Sequence, residues 1–340
     1  MTSDVLLALS LDPGLSRVHL TARIRADDPD LLDRAAPWMD AARRARDRAA
    51  SLGIHVVTAD DPRFPAALLT LPDLPPALWY RGNLASLDRS VVAVVGSRAA
   101  SAVGMETAAR LAEGLARAGV VVASGLARGI DSAAHKGALE AGVTVAVLGS
   151  GPDIIYPPEH RALAARVAES GVLLSEYPPG TAPLPFRFPQ RNRLISGLSR
   201  AVVVIEAAEG SGSLITAACA LEQGREVFAV PGNVLSGRSR GAHALIRDGA
   251  GIVERADDVL LELGLPVERT GRRCDDVSAC DGDGCGDLVL RVLAPGQAYD
   301  LDQICVASGL DGVRLLTLLM ELELRQLVRR VAGGRFMRSA

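Results

Sequence analysis

The stretch VVAVVGSRAAS, residues 91–101, carries the pattern that decides the fold. Its first five residues are apolar, no polar residue alternates with them, and a glycine follows at once. Such a run is typical of a strand buried on both faces, as in parallel sheets that are covered by helices. Residues 105–119, METAARLAEGLARAG, then show helical spacing and end on a glycine, which favours a strand followed by a helix.

The same alternation continues through residues 51–265. Apolar, strand-like runs return in five further segments, at 120–125, 143–151, 172–180, 201–208 and 226–233. Helix-forming segments lie between most of them. Strands that alternate with helices form α/β folds, so this region is predicted to be one doubly wound parallel sheet. Residues 53–83 come before it and indicate an added strand with an irregular lead-in.

Two flanking regions and a linker complete the predicted organisation. Residues 1–50 have helical spacing and predict a small helical domain. Residues 266–286 are rich in Gly, Asp and Cys without periodicity, which predicts a flexible linker. Their three cysteines form no CxxC pair, so no metal site is expected. Residues 287–340 predict a winged helix with an arginine-rich hairpin around Gly333 and Gly334, which could contact either DNA or protein.

Composition excludes some classes of protein. The chain has 340 residues, 49% hydrophobic residues and a net charge of −3, which is typical of a globular protein of several domains. No apolar run approaches the roughly 20 residues of a membrane span, and the N-terminus does not resemble a signal peptide. Five cysteines, an odd number, favour reduced thiols and a cytoplasmic location. Residues 181–250 nevertheless hold eight Arg against five acidic residues, a local positive surplus.

Four loops at the predicted strand ends are rich in glycine, serine and arginine, at 96–101, 124–131, 188–193 and 209–217. Loops at the carboxyl ends of parallel strands meet at one edge of a sheet and form its ligand crevice. Glycines and helix N-termini there allow a phosphate to reach backbone N–H groups. Three of the loops also supply arginines, which are Arg98, Arg128, Arg191 and Arg193. Since guanidinium groups bind phosphate with paired donors, the loops predict a phosphate cradle.

Motifs for a cofactor or for catalysis are weak. Two GxG segments lack the third glycine of a dinucleotide fingerprint, and no GxxxxGK[ST] loop is present, so no cofactor is predicted. Asp131, His135 and Glu176 are the available acid–base groups. Asp131 and His135 are four residues apart, on one face of a predicted helix, where a structural hydrogen bond at the helix start is the favoured role. The sequence therefore predicts a binding protein with no catalytic residues.

Eight motifs together resemble the DNA-processing protein A family, also called DprA or Smf. They are VVGSRAAS, ASGLARGIDSAAHKGAL, TVAVLGSG, IIYPPEH, LLSEYPPGT, FPQRNRLISGLS, VVVIEAAEGSGSLITA and GREVFAVPGN, spread from Gly53 to Glu254. The resemblance implies an extended Rossmann fold over residues 51–265, which binds single-stranded DNA and forms a homodimer. It also implies an N-terminal domain like a sterile-alpha motif (SAM) or a helix-hairpin-helix, a C-terminal winged helix, and recruitment of the RecA recombinase during natural transformation.

The resemblance and the loops together assign the DNA contacts. The assigned residues are Gly96, Ser97, Arg98, Ser124, Gly125, Arg128, Arg191, Asn192, Arg193, Gly212 and Ser213. Two positions depart from the family pattern. Pro158 stands where many members have a lysine, and His243 stands where many have an asparagine. The rings of Tyr156, Tyr177, Phe186 and Phe188 are near these loops and either stack on bases or cover the core.

The alternative is an enzyme of the nucleotide phosphoribohydrolase type, which has a related Rossmann core. Such enzymes need a PGGxGTxxE loop with a positioned glutamate. Here residues 209–222, EGSGSLITAACALE, have Ser211 and Ser213 in that loop, and Glu222 comes too late. The sequence therefore favours strand binding over nucleotide hydrolysis.

Overall fold

The computed structural model describes residues 2–267, 289–290, 292–293, 297–308, 310–331 and 335–338. The chain divides into two compact units, Met1–Glu268 and Arg269–Ala340. From residue 268 onward, the predicted linker lies outside the described residues, and so does the tip of the predicted wing with Gly333 and Gly334. In the described part of the chain, no helix is long and apolar enough to cross a membrane.

The first unit contains twelve α-helices and nine strands in its described residues. The helices are α1 Ser3–Ser10, α2 Arg17–Arg25, α3 Asp30–Ala35, α4 Met39–Ser51, α5 Ala66–Leu69, α6 Ala102–Arg117, α7 Ile130–Ala141, α8 Arg161–Ser170, α9 Arg187–Leu198, α10 Gly212–Glu222, α11 Arg240–Arg247 and α12 Ala256–Glu262. The strands are β1 His55–Thr58, β2 Ala77–Gly82, β3 Val91–Gly96, β4 Val121–Ser124, β5 Thr144–Leu148, β6 Val172–Ser175, β7 Ala201–Ile205, β8 Glu226–Ala229 and β9 Gly251–Ile252.

All nine strands form one sheet in the order β1-β2-β6-β5-β4-β3-β7-β8-β9. The seven strands from β6 to β9 in this order are parallel. β2 pairs with β6 in the antiparallel direction, and β1 pairs with β2 in the same way. The predicted doubly wound α/β fold is confirmed. Residues 53–83, which come before the parallel strands, form two antiparallel strands where one was expected, so the sheet is mixed.

Helices cover both faces of the parallel strands. Successive side chains of a strand point to opposite faces, so neighbouring residues pack against different helices. On one face, Val91 and Val95 of β3 pack in a cluster with residues of α9 and α10. On the other face, Val92 and Val94 pack in a cluster with residues of α6, α7 and α12. The apolar runs therefore contain no alternation, since both faces of each strand are buried. This confirms the argument from the sequence of β3.

The N-terminal helices share a hydrophobic cluster with the edge of the sheet. Leu7 and Leu31 of these helices pack in the same buried cluster as Ala77 and Trp79 of β2. An ion pair also connects the two parts, since Arg17 of α2 lies 2.5 Å from Glu176, directly after β6. The domain boundary predicted after residue 50 therefore crosses a continuous core within one compact unit.

The second unit is a winged helix. It contains β10 Ala298–Tyr299, α13 Leu301–Ser308, α14 Gly312–Leu324, β11 Val328–Val331 and β12 Arg335–Arg338. Its strands form a sheet in the order β10-β12-β11. Ile304, Leu315 and Phe336 are buried in its core. Two helices followed by an antiparallel hairpin are part of the predicted winged helix, which is thereby confirmed for the described residues.

Candidate functional site

An open cavity lies at the point where the direction of the sheet order reverses. From β3 the chain builds the sheet through β4 toward β6, and from β7 it builds toward β9 on the other side. Open α/β sheets bind ligands at such a switch point, outside the carboxyl ends of the strands. The cavity has a volume of about 590 Å³, within the usual range for ligand sites. Seven of the assigned residues line it: Gly96, Ser97, Arg98, Arg191, Asn192, Gly212 and Ser213.

The RNR segment lies in a helix and not in the loop that the sequence predicted. Residues 188–193 belong to α9, which begins at Arg187. Side chains two residues apart on a helix point in different directions, since each residue turns the helix by about 100°. Arg191 and Asn192 consequently line the cavity, whereas Arg193 does not. The prediction of a loop was wrong. The helix gives the two arginines different positions, and therefore different roles.

Arg191 is a buried cation at the back of the cavity. Its side chain is almost fully enclosed, with 4% of the residue exposed. Nη1 donates to the carbonyl oxygen of Gly125 at 2.8 Å and also to that of Val147. A Cβ at Gly125 would collide with this guanidinium. A larger residue at position 125 would therefore displace the guanidinium, because Arg191 packs directly against the backbone there.

Asp131 is the buried carboxylate that faces Arg191. Burial raises the pKa of Asp131 and lowers the pKa of Arg191 to about 10, while their mutual attraction opposes both shifts. Oδ2 of Asp131 accepts backbone N–H bonds from Gly125 at 3.1 Å and Ala127 at 3.4 Å. Within the same loop, Leu126 is buried with a φ of 57°, a left-handed conformation that costs a leucine energy. Asp131 thus stabilises a strained loop against the cavity.

His135 completes the support of that loop. The hydroxyl of Thr144 donates to the Val122 carbonyl at 2.6 Å, so Nδ1 of His135 donates to Thr144 Oγ1 at 2.7 Å. Nε2 then accepts the N–H bond of Leu126 at 3.3 Å. Burial, with Arg191 nearby, lowers the pKa of His135 to about 3. Asp131 and His135 therefore have structural contacts, but these join the 125–127 loop and Thr144 and not the two side chains to each other, as the sequence had suggested.

We expect acid to destabilise the protein through His135. Between pH 6.5 and about 3, the unfolded chain binds a proton at this histidine and the folded protein does not. Stability should therefore fall by about 1.4 kcal/mol for each pH unit below 6.5 from this group alone. Urea unfolding of the wild type and of His135→Gln at several pH values in this range measures the difference. The variant should be less stable at pH 7 and have a flatter pH dependence.

A matched control for this titration is His19→Gln, because His19 is exposed. That variant should keep the pH dependence of the wild type. The wild type and His135→Gln differ in this one titratable group, so comparing their slopes isolates the contribution of His135. Parallel curves for the wild type and His135→Gln would contradict the assignment of a buried neutral imidazole.

Arg193 is engaged with carboxylates on another side of α9. Its Nε lies 2.8 Å from Asp73, and its Nη2 lies 2.7 and 2.9 Å from the two oxygens of Glu176. Glu176 also pairs with Arg17 of α2. With only 9% of the residue exposed, Arg193 is part of a buried ion-pair network. The structure does not bring this predicted phosphate ligand to the cavity.

Three further assigned residues also lie off the cavity wall. Ser124 is fully buried, and its hydroxyl donates to the Val94 carbonyl at 2.7 Å. Arg128 pairs on the surface with Glu159 at 2.5 Å. Gly125 and Arg128 line a smaller adjoining pocket. Ser124 and Gly125 therefore lie behind Arg191. Strand β3 contacts Ser124 and the buried guanidinium contacts Gly125, so these groups occupy the positions that a ligand would need.

The N-terminus of α6 is filled by the protein itself. Glu206, which follows β7 with a φ of 48°, accepts the N–H of Ser101 at 2.7 Å and also its hydroxyl hydrogen. A Cβ at Gly104 would collide with the carboxyl group of Glu206. In dinucleotide-binding sheets the pyrophosphate occupies the N-terminus of the helix after the first strand. Here that position holds a glutamate carboxylate, so the 96–101 loop does not offer its helix end to a ligand.

The N-terminus of α10 opens into the cavity. Ser211 caps the helix, and its hydroxyl lies 2.8 Å from that of Ser213. A Cβ at Gly212 would meet open space, and the Asn192 side chain donates to the Gly212 carbonyl at 3.2 Å. The first N–H groups of a helix carry partial positive charge and bind anions. The sequence predicted that the 209–217 loop helps to bind phosphate, and the open N-terminus of α10 is a group that suits this role.

A cation and two rings form the outer wall of the cavity. The exposed guanidinium of Arg98 lies 5.5 Å from the centre of the Phe188 ring. The Tyr156 ring lies 5.5 Å from the Phe188 ring, and 45% of Tyr156 is exposed. The sequence did not single out Arg238, whose Nη1 donates to the Ala99 carbonyl at 2.7 Å and holds the Arg98 loop. Its only sequence signal was the arginine surplus of residues 181–250.

The two residues that depart from the family pattern lie in local turns and contacts away from the cavity. Pro158 begins a short 3-10 turn, and the next residue, Glu159, pairs with Arg128. Nε2 of His243 lies 3.2 Å from the nitrogen and 3.1 Å from the oxygen of Gly232. Neither residue lines the cavity.

Comparison with known proteins follows the same division of the chain. The family described as DNA recombination-mediator protein A matches residues 55–264, and the DprA winged helix domain matches residues 276–334. Protein Smf of Escherichia coli (strain K12) is 42% identical over 285 residues, which cover 82% of this chain and 76% of that protein.

Two solved structures are similar to this fold. The X-ray structure of DNA processing protein A from Streptococcus pneumoniae has a TM-score of 0.67 at 39% identity, and the match covers 77% of this chain and 98% of that one. A structure of DNA processing protein A from Helicobacter pylori, described for its single-stranded DNA binding mode, has a TM-score of 0.56 at 29% identity, covering 62% and 95%. Because the first family match spans more than half of the chain and includes every residue of the cavity wall, the protein belongs to the DNA recombination-mediator protein A family.

Proposed function

We propose that this protein binds single-stranded DNA in the switch-point cavity. The observation that carries the proposal is that one cavity combines phosphate donors with two aromatic rings, of which Tyr156 is exposed and Phe188 is half-buried. The α10 N-terminus, Arg98 and Arg191 offer positive charge, while Phe188 and Tyr156 offer ring faces beside it. A positive groove with stacking rings is how proteins bind single strands without reading their sequence. The description of the Helicobacter pylori relative as a single-stranded DNA binder supports this for the family.

The cavity suits an unpaired strand better than a duplex. A ring such as Tyr156 stacks on a base only when that base is unpaired and free to leave its neighbours. Sequence readout of a duplex needs a helix or ribbon inserted in a groove, whereas a concave cavity receives a strand. Phosphate contacts from arginines and helix ends carry no sequence information. The protein should therefore bind strands of many sequences.

We propose that the protein acts by binding and not by catalysis. A nucleotide phosphoribohydrolase needs a carboxylate aimed at the sugar. Among the described residues that line the cavity, the acidic one is Asp131, whose Oδ2 accepts two backbone N–H bonds and which faces Arg191. These bonds give Asp131 a structural role, because they hold the backbone of the 125–127 loop. The enzyme alternative therefore has less support than strand binding.

The biological setting is a further part of the proposal. We propose that the protein acts in the cytoplasm, forms a homodimer through the sheet-containing unit, and passes the bound strand to the RecA recombinase during natural transformation.

In the winged helix, the outer face of α14 exposes Leu316, Met320 and Leu324. An apolar face of this kind favours a protein partner over DNA, since phosphates and base edges are recognised mainly by polar side chains.

Fluorescence anisotropy with an oligo(dT) strand and a blunt duplex of equal length tests the proposed function. The single strand should bind more tightly. Arg98→Ala should weaken this binding and lower the slope of log affinity against log salt by about 0.7, the value for one phosphate contact on a single strand. Arg110→Ala is the matched control, because Arg110 is an exposed arginine of α6 that pairs with Glu106. Equal or tighter binding of the duplex, or an unchanged slope for Arg98→Ala, would contradict the proposal.

A further inference from the structure

A second assembly of rings and a cation lies beside the cavity. The guanidinium of Arg187 lies 5.0 Å from the centre of the Tyr177 ring and 5.5 Å from that of the Phe186 ring. Its Nη1 donates to the Ala182 carbonyl. The Tyr177 hydroxyl donates to Oε1 of Gln190 at 3.0 Å. Hydrogen bonds thus fix both the cation and one ring, so the assembly is organised before any ligand binds.

Phe186 does not cover the core. It is 57% exposed, whereas core rings such as Phe64 and Phe228 are 4% exposed. An exposed phenyl ring loses the favourable free energy of burial, which for a phenylalanine amounts to about 1.5–3 kcal/mol. The sequence left open whether this ring covers the core or stacks on a base, and its exposure removes the first role. A planar ligand that stacked on Phe186 would recover part of that burial.

The position of the assembly relates it to the cavity. Phe188, which lines the cavity, is two residues after Phe186 in the chain. Phe186 is the N-cap residue of α9 and Phe188 lies in its first turn, so a helix rise of about 3 Å separates them, close to the roughly 3.4 Å between neighbouring nucleotides of a strand. Phe188 with Arg98, and Phe186 with Arg187, repeat one composition, in which a guanidinium lies 5.5 Å from a phenyl ring. A DNA strand that leaves the cavity at Phe188 would next contact Phe186 and Arg187.

The geometry points to a second nucleotide subsite at Phe186 and Arg187, in which a base stacks on the phenyl ring and the guanidinium neutralises the adjoining phosphate. This inference rests on the proposed binding of single-stranded DNA in the cavity. Since every base has a planar face, the subsite accepts any base. It extends the contact of the protein with the strand beyond the cavity without adding sequence preference.

Binding of oligo(dT) strands of about 4 and about 15 nucleotides, lengths that bracket known single-strand sites, tests the subsite. Phe186→Ala should weaken binding of the longer strand about fivefold or more, the effect of losing one stacked base, and leave the shorter strand unaffected. Phe186→Trp should keep the affinity, and the longer strand should quench the fluorescence of the introduced indole. Leu32→Ala is the matched control, because Leu32 of α3 is an apolar residue with nearly the same exposure, 58%.

The outcomes separate this inference from the proposed function. If the wild type binds neither strand, the proposed function itself fails. Two results would refute the second subsite when the wild type binds both strands. In the first, Phe186→Ala binds the longer strand with unchanged affinity. In the second, it loses affinity for both strands equally. Absence of quenching in Phe186→Trp would refute it as well, because a stacked base contacts the indole directly.

Discussion

Replacing Arg191 with methionine should lower the free energy of unfolding by about 3–5 kcal/mol and abolish the binding of single-stranded DNA. The side chain is buried and donates to the Gly125 and Val147 carbonyls. Its loss removes the cation that faces the buried carboxylate of Asp131. Removing one partner of a buried pair is costly, because the other charge is left uncompensated in a medium of low polarity.

Urea unfolding at pH 7 measures the stability effect, and anisotropy with oligo(dT) measures the binding. The double variant Arg191→Met with Asp131→Asn should regain part of the lost stability, since the uncompensated charge is gone. It should not regain DNA binding, since the buried cation at the back of the cavity is still absent. Arg166→Met is the control, because Arg166 is an exposed arginine that pairs with Glu140 at 3.3 Å on the surface. A stable Arg191→Met protein with normal DNA affinity would refute both the structural and the binding role.

Replacing Arg193 with methionine should destabilise the protein by a similar amount, about 3–5 kcal/mol, without changing the salt dependence of DNA binding. Arg193 pairs with Asp73 and Glu176, and these two carboxylates would be left partly buried with Arg17 as their remaining cation. Arg193 makes no contribution to the cavity wall, so the number of phosphate contacts should not change. The slope of log affinity against log salt should therefore equal that of the wild type.

This expectation reverses the one drawn from the sequence, which assigned Arg193 to a phosphate. Arg98→Ala is the positive control, because its slope should fall. Variants that unfold are compared at a temperature where circular dichroism shows them to be folded. A reduced slope for folded Arg193→Met would restore Arg193 to the DNA interface and contradict the role given to it here.

The two arginines show what the sequence could and could not predict. The valine runs of β3 and β7 predicted buried parallel strands, and the switch point placed the ligand site at their carboxyl ends. The direction of each arginine depends instead on where α9 begins. Three prolines, at positions 183, 185 and 189, suggested a loop, but proline is tolerated in the first turn of a helix. Once the helix begins at Arg187, its rotation sends Arg191 toward the cavity and Arg193 toward Glu176.

Other features were out of reach because their partners are distant in the chain. Glu206 resembles any acidic residue after a strand, and its partner Ser101 lies 105 residues earlier. Gly125 looks like a phosphate-binding glycine, and only the packing of Arg191 against it reveals the different reason for its size. Motifs for a site that is formed by several loops indicate which residues are close together. They do not indicate which of those residues point at a ligand and which hold the others in place.

The carboxylate of Glu206 at the end of α6 has a consequence for competition inside a cell. A group attached to the chain has a fixed effective concentration next to its binding position, whereas a dissolved nucleotide or phosphate ion must reach that position from solution. Glu206 therefore acts as a tethered competitor at the helix end where sheets of this kind bind dinucleotides. We expect small dissolved phosphates to compete poorly for that position, because the carboxylate already occupies it. For the strand binding proposed above, selectivity for the polymer over its monomers would begin with one carboxylate that never dissociates.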